Sequence, residues 1–516
     1  MKLKYIICII VLWISILPGM AQQSEPFFYE SFDHSKVDID SVKYKLKSTY
    51  SLLKIEQPVY TKGLVGKALN LTSSAPLRIP LCLEKAQCPS YDKEHSFSIQ
   101  VWVQTLNGAQ QGTPVMTNKQ MGERDSCGWC IGTQENGAWY WNMSDGKTTY
   151  SYDPTPQRQK INDGKWHQII VSVDRKKREV WMYLDGRNMA IYQLDDKLGS
   201  LESRLRTVVG GSDEYFDFDF HGEWSAFNGK IDEVKIWNRP LVASEVRSSY
   251  EQQMGITENV PIESSDRLKI QSWNILHGGH RLGQHVGVAR TAEILKAEKA
   301  DIIGLVETYG SGAIIADSLG YYFYLISDNL SIMSRFPIKS TIQLYKAFRS
   351  GGAILDLGEN KELTFFDIWL DWKIDEYRAT DIAGINTQLK KYASETNKRP
   401  VIAVGDFNSG SHLDKWPAWA DNINNPKILW PSRVMQEDGF KDSYREMNIN
   451  SEKDPGFTWT PQINHVQQDQ RLRNRIDYIY YKGDQLVPYR SEVLDHHPVF
   501  WPSDHGSVVS YFYLNF

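Results

Sequence analysis

At 516 residues, with 41% hydrophobic and 23% charged positions, the chain is too long for one ordinary core and too balanced to be disordered or fibrous. Formal net charge is -5, and residues 261–516 carry 28 Lys and Arg against 32 Asp and Glu. That balance disfavours, without excluding, a domain that holds nucleic acid chiefly by neutralising phosphates, and the length points to two domains of about 200–250 residues each.

The chain begins MKLKYIICIIVLWISILPGMAQQ. Lys2 and Lys4 precede the apolar run Tyr5–Leu17, and Gly19-Met20-Ala21 has the small-x-small form of a cleavage site. The pattern predicts a signal peptide over residues 1–21 and export to the periplasm, the cell surface or the medium. No later apolar stretch is long enough to span a bilayer. Cys8 leaves with the signal, while Cys82, Cys88, Cys127 and Cys130 remain in the N-terminal half. In an oxidising compartment these four favour one or two disulfides over a metal site, with three pairings open.

Residues 22–250 show period-2 alternation, as in SFSIQVWVQ with Phe97, Ile99, Val101 and Val103 on one face. Glycine- and aspartate-rich turns separate such runs and no long helical period appears, so an antiparallel β-sandwich is expected. Asp33 and Asp232 are candidate Ca²⁺ ligands, or turn residues that bond the backbone. His167, beside a strand Trp, reads as a packed residue. The acidic and aromatic loop Asp213–Trp224 is a candidate sugar-binding segment. Residues 251–265 lose periodicity and read as a linker.

Several features together resemble the laminin-G-like, concanavalin A-like jelly roll. They are Gly63-x-x-Gly66-x-Ala68, Trp102, DGKWHQ with Trp166 and His167, YLDG, and FNGKIDEVKIWNRPL with Gly229, Asp232 and Trp237. The resemblance implies binding of glycan or another cell-surface partner, or a purely structural role.

In residues 266–516, buried-strand runs (IIGLV, LSIMS, VIAVG) alternate with helical stretches such as RATDIAGINTQLKKYASE, which indicates an α/β layered domain. Where apolar runs meet polar turns stand Asn274, Glu307, Asp406, Asn408, Asp477, Asp504 and His505. Hydrolysis of a phosphoester needs the phosphate neutralised, a water oriented and the departing oxygen stabilised. Glu307, Asn274 and Asp504 suit Mg²⁺ or Mn²⁺. Asp406 suits deprotonation of water beside Asn408, and His505, held by Asp477, suits charge stabilisation. His277, Trp369, Arg378 and His412 are candidate substrate or phosphate contacts. His280 and His285 read as solvated, Arg335 as a phosphate contact or an ion-pair former, and the run Arg471, Arg473, Arg475 as a solvated strand entrance or a substrate grip.

This ordered set resembles the endonuclease/exonuclease/phosphatase superfamily. The resemblance implies a four-layer α/β sandwich, a divalent metal and the residue roles just given. Trp369, in FFDIWLDW, stands where that family often has a phosphate-contacting His. An indole donates only and moves no proton at neutral pH. The sequence therefore reads as an exported metal-dependent phosphoesterase acting by direct water attack, with a sandwich for glycan or surface binding. The alternatives are a secreted nuclease cleaving DNA or RNA, and a binding protein that has lost catalysis.

Overall fold

The structure is a computed structural model that describes residues 25–33, 59–71, 79–80, 89–106, 113–119, 126–211, 227–256, 266–394, 399–415, 430–460 and 473–516. The expected signal, the loop Asp213–Trp224, Cys82, Cys88 and Arg471 lie outside these residues.

Alternation in the N-terminal half becomes two packed sheets. One runs, in spatial order, Val59–Lys62, Lys67–Asn70, Lys230–Trp237, Phe97–Gln104, Trp166–Asp174, Glu179–Leu184, Arg187–Gln193. The other runs Ile79–Pro80, Val208–Val209, Thr113–Thr117, Gly128–Thr133, Trp139–Ser144, Thr149–Tyr152. Phe97, Ile99, Val101 and Val103 fill the space between sheets, as expected. The opposite face is not left to solvent. Helix Ala243–Met254 lies over it, with Tyr250 stacked on Trp102 at 5.7 Å and Gln253 accepting the Trp102 indole N–H at 2.8 Å. This helix takes in the first four residues of the expected linker, because its contact with Trp102 supplies a burial that periodicity alone does not reveal.

Small polar groups brace the sandwich turns. The carboxylate of Asp232 accepts the amides of Leu64, Val65 and Glu233, and that of Asp33 accepts the amide of Lys67. Both acids thus hold the 63–67 turn with their oxygens, the backbone-bonding reading of the two. His167 is buried between Asp185 (2.8 Å) and Asp163 (3.0 Å) and clamps two turns together. Cys127 and Cys130 carry free thiols and do not pair with each other.

The C-terminal half has four layers. One sheet runs Tyr322–Leu325, Leu330–Ser334, Ile302–Val306, Arg267–Asn274, Ser507–Leu514, Leu486–Leu494. The facing sheet runs Ile338–Gln343, Ser350–Gly358, Lys361–Trp369, Val401–Asp406, Asp477–Lys482, Lys441–Asp442. Ile270, Ile302, Phe365 and Ile402 share the core between them. Helices Val286–Glu298 and Gly312–Leu319 cover the first sheet, and Asp375–Ala393 and Trp430–Glu437 cover the second. Ile382, Ile385 and Leu389, spaced at three and four residues, are the buried stripe of their helix.

The two halves are joined through the backbone itself. Arg187–Gln193 runs parallel beside Tyr322–Leu325, pairing Ile191 with Tyr324 and Tyr192 with Leu325, so the sandwich sheet and the first C-terminal sheet form one sheet of 14 strands. The Tyr324 hydroxyl donates to Gln193 at 3.1 Å, and Tyr192 packs edge-on against Phe323. Buried Asp317 accepts from Arg158 (3.2 Å), Gln159 (3.1 Å) and Thr155, all in the sandwich. Removing one partner of a buried ion pair leaves an uncompensated charge. Asp317→Ala should therefore lower stability by about 3 kcal/mol in urea unfolding. An unchanged midpoint would show that this contact does not hold the halves together.

Candidate active site

The chemistry-bearing side chains come from the ends of strands in both C-terminal sheets. Asn274 closes Arg267–Asn274, and Glu307 follows its parallel neighbour Ile302–Val306. From the facing sheet, Asp406 ends Val401–Asp406 and stands directly opposite Asp477 across an antiparallel pair. Gly405 precedes Asp406 at φ 133°, where an added Cβ would stand 1.9 Å from the Ile368 carbonyl oxygen.

Two like charges face each other at Asp406 and Asp477, and the neighbouring groups compensate. Asp406 accepts from the Asn408 amide N–H (2.9 Å), the Asn408 side chain (3.1 Å) and the Asn274 side chain (3.2 Å). The same Asn274 nitrogen donates to Glu307 at 3.2 Å, so one side-chain amide bridges two carboxylates. His505 Nδ1 bonds Asp477 at 2.8 Å, and its Nε2 stands 4.0 Å from both Asp406 and Asp504. Burial lowers the imidazole pKa, but the charge and hydrogen bond of Asp477, with Asp406 and Asp504, outweigh it and push it up to about 10. Burial first, then the Asp477 charge, raises Asp406 to about 7. The surrounding carboxylates thus favour the charged form of His505, whose Nε2 is aimed between Asp406 and Asp504.

Backbone strain collects here. Of twelve non-glycine residues with positive φ among those described, Leu276, His277, Glu307, Tyr309 and Asn408 border this cleft. Such conformations persist only where surrounding bonds hold them. The Glu307 carboxylate accepts the His277 amide at 2.9 Å, and its carbonyl accepts the Gly278 amide.

The donor set fits a hard divalent cation. Asp504 Oδ1 and Asp477 Oδ1 are buried without a hydrogen-bond partner, and one atom each from Asp406, Asp477 and His505 lie within 4.8 Å of one another. His505 Nδ1 is committed to Asp477, and the Asn274 side-chain nitrogen stands between the carboxylates of Glu307 and Asp406.

Not every candidate joins this group. Arg378 is buried on helix Asp375–Ala393, donates to the Asp371 carbonyl at 2.7 Å and feels the Asp406 charge. His277 is exposed at the rim, stacked on Tyr309, with Nδ1 3.6 Å from Glu307. Trp369 pairs in register with Asp406, but its ring is covered by the Arg349 guanidinium at 4.5 Å and the Phe348 edge at 5.5 Å. His412 has both ring nitrogens bonded to helix Trp430–Glu437, through Ser432 and Gln436, so it anchors its loop rather than facing the cleft. Arg335 pairs with Asp301, at the strand ends remote from Glu307. Arg475 is neither solvated nor a substrate grip: it is buried in ion pairs with Asp414 (2.9 Å) and Asp442 (2.7 Å).

Sequence reading passed over Thr458, whose hydroxyl accepts the Ile476 and Asp477 amides, and Trp459, whose indole donates to Asp504 at 3.3 Å. Their only signal is the segment FTWT, which has no chemistry of its own.

Comparison with known proteins defines both halves. Residues 272–505 match the Endonuclease/Exonuclease/phosphatase family, and residues 85–247 match the Concanavalin A-like lectin/glucanases superfamily. In chain order, a concanavalin A-like match is thus followed by an endonuclease/exonuclease/phosphatase match. An uncharacterized protein of Caenorhabditis elegans is 24% identical over 292 residues, 48% of this chain and 91% of its own. A non-toxic nonhemagglutinin type A of Clostridium botulinum is 26% identical over 161 residues, 30% of this chain but 11% of its own. Among solved structures, TDP2 from Caenorhabditis elegans matches with 17% identity and a TM-score of 0.38, over 52% of this chain and 81% of its own. An endonuclease/exonuclease/phosphatase family protein of Bacteroides thetaiotaomicron also has 17% identity, with a TM-score of 0.36, over 48% and 98%.

One buried acid near the site takes no part in it. Asp367, two residues before Trp369 on the same strand face, lies wholly within the core, where neither oxygen makes a well-formed hydrogen bond. Burial pushes its pKa well above the usual carboxylate range, against a smaller pull from the Ile368 and Ser331 amides. The folded protein thus keeps this proton where the unfolded chain releases it, so the stability it contributes, full below pH about 4, falls as pH rises. Asp367→Asn should be more stable than wild type at pH 8, by about 1–3 kcal/mol, with the difference closing toward pH 4. A difference independent of pH would exclude a buried neutral acid.

Proposed function

We propose that the C-terminal half is a divalent-cation-dependent phosphoric ester hydrolase acting by direct attack of water. The observation that carries this reading is the buried Asp477–His505 hydrogen bond, which aims His505 Nε2 between Asp406 and Asp504. Glu307, Asn274 and Asp504 would hold Mg²⁺ or Mn²⁺, which neutralises the substrate phosphate.

The residues divide the remaining work. Asn408 and Asn274 fix the Asp406 carboxylate by three hydrogen bonds, so its free lone pairs have one direction. Asp406 accepts the proton of the attacking water as its oxygen bonds phosphorus. The bond from phosphorus to the departing oxygen breaks, and that oxygen is reprotonated from solvent. His505, kept charged by Asp477, donates to a phosphoryl oxygen as negative charge builds there. Arg378 adds positive potential from the helix behind Asp406.

The slightly acidic catalytic half favours a small or amphiphilic phosphoester over bulk nucleic acid. Hydrolysis of bis-p-nitrophenyl phosphate, p-nitrophenyl phosphate, plasmid DNA and sphingomyelin, with Mg²⁺, Mn²⁺, Ca²⁺ or EDTA, tests the assignment. Asp406→Ala and His505→Ala should each lower kcat by about 10²–10⁴-fold, and EDTA should abolish turnover. Activity surviving both substitutions rejects these roles. Salt-sensitive DNA cleavage as the main activity supports the nuclease reading, and no turnover on any substrate supports a binding protein.

Export and glycan binding belong to the same proposal. The first is supported by the Lys2/Lys4 charge, apolar run and Ala21 site, the second by the concanavalin A-like match. Protein recovered from the producing organism should begin at Gln22, and the full chain should retain a polysaccharide on an array. An uncleaved cytoplasmic chain rejects the first; an array without signal rejects the second.

A further inference from the structure

The His505 ring is held by Asp477, but the backbone that carries it is held separately. The His505 carbonyl oxygen accepts two indole N–H groups, Trp501 at 2.7 Å and Trp273 at 3.0 Å. A carbonyl oxygen has two lone pairs, and both are taken. The other end of the same peptide is also fixed, because the Gly506 N–H donates to the Thr458 carbonyl at 2.6 Å. On the preceding side, the His505 N–H donates to Ser503 Oγ (3.0 Å), whose hydroxyl donates to the Asn274 carbonyl (2.7 Å).

Both indoles are almost wholly buried and pack on each other with ring centroids 4.8 Å apart. A hydroxyl in the same place rotates among partners, whereas an indole N–H is donor only and its direction is fixed by the packed ring. Both rings also belong to the core that contains Ile275, Val288 and Leu295. Any tilt of the His505 peptide must break an indole hydrogen bond or move that core.

We propose that Trp273 and Trp501 are positioning residues for His505: their paired indole N–H groups orient its peptide so that Nε2 faces the reacting phosphate. The proposal rests on the hydrolase reading above and adds residues that touch neither substrate nor cation. A displacement of about 1 Å at a reacting group can cost about 10²-fold in rate. Loss of one indole donor, with the ring retained, should then act on turnover and not on substrate binding.

Trp501→Phe and Trp273→Phe remove the N–H and keep an aromatic ring. Each should lower kcat by about tenfold or more, with KM changed less than about twofold. In a His505→Ala background the same substitutions should lower kcat no further, since the group they orient is gone. A merely structural loss would lower kcat equally in both backgrounds, and that result overturns the proposal, as does a kcat within twofold of wild type in both single variants. The downfield Nδ1–H proton resonance of His505, identified by its loss in His505→Ala, reads the geometry without turnover. It should shift and broaden in Trp501→Phe; an unchanged resonance overturns the proposal. A wild type inactive on every substrate would count against the hydrolase reading alone, because the resonance still decides the positioning. Should Trp273→Phe fail to fold, Trp501→Phe carries the test by itself.

Discussion

Four carboxylates from two sheets meet in one cleft, and their repulsion is the constraint to which the rest of the site answers. At an effective dielectric of about 20, unit charges 4 Å apart interact by about 4 kcal/mol. Asp406 and Asp477 stand directly opposite each other, with Asp504 and Glu307 close by. The responses are visible group by group. The carboxylates of Asp477 and Asp406 favour the charged form of His505 between them, and Asn274 places one nitrogen against two carboxylates. Asp406 itself rises toward neutral pH. Carboxyl oxygens that remain without partners, on Asp477 and Asp504, mark where cationic charge is still wanted.

Such an assembly holds only if its supports do not yield. Gly405 lets the chain pass within 1.9 Å of space that any Cβ would need, and positive-φ residues cluster around the rim. The Trp273–Trp501 pair connects the His505 backbone to a core that continues beneath the helices and into the sandwich. The sandwich is therefore not hung from a tether: its sheet continues into the first C-terminal sheet between Ile191 and Tyr324, and Asp317 binds three sandwich side chains. Any ligand held by the sandwich would stand at a fixed distance from the cleft.

Legibility in the sequence followed locality. Asn274, Glu307, Asp406 and Asp477 were readable because each ends or follows an apolar run, and a strand end projects its polar residue from a rigid sheet. Arg475 was legible as a cation but not as a buried one, because Asp414 and Asp442 are 61 and 33 residues away. His412 and Trp369 were misleading for the same reason: each lies next to a motif in sequence while its ring is taken by other elements. The helix over Trp102 was invisible because its residues bury themselves against a sheet that sequence periodicity had already shown as half-polar.

The sequence by itself determined two halves, a β-sandwich and an α/β layered domain, and the set of residue types able to hydrolyse a phosphoester. Period-2 alternation, buried-strand runs and polar strand ends are local properties, and backbone geometry turns them into elements without reference to distant partners. Tertiary structure alone decided which groups meet. It set Asp477 on His505 Nδ1, turned Asp33 and Asp232 onto the backbone of one turn, and gave the His505 carbonyl two indole donors. Those outcomes depend on register between strands far apart in the chain, and a shift of one residue would turn each side chain to the opposite face.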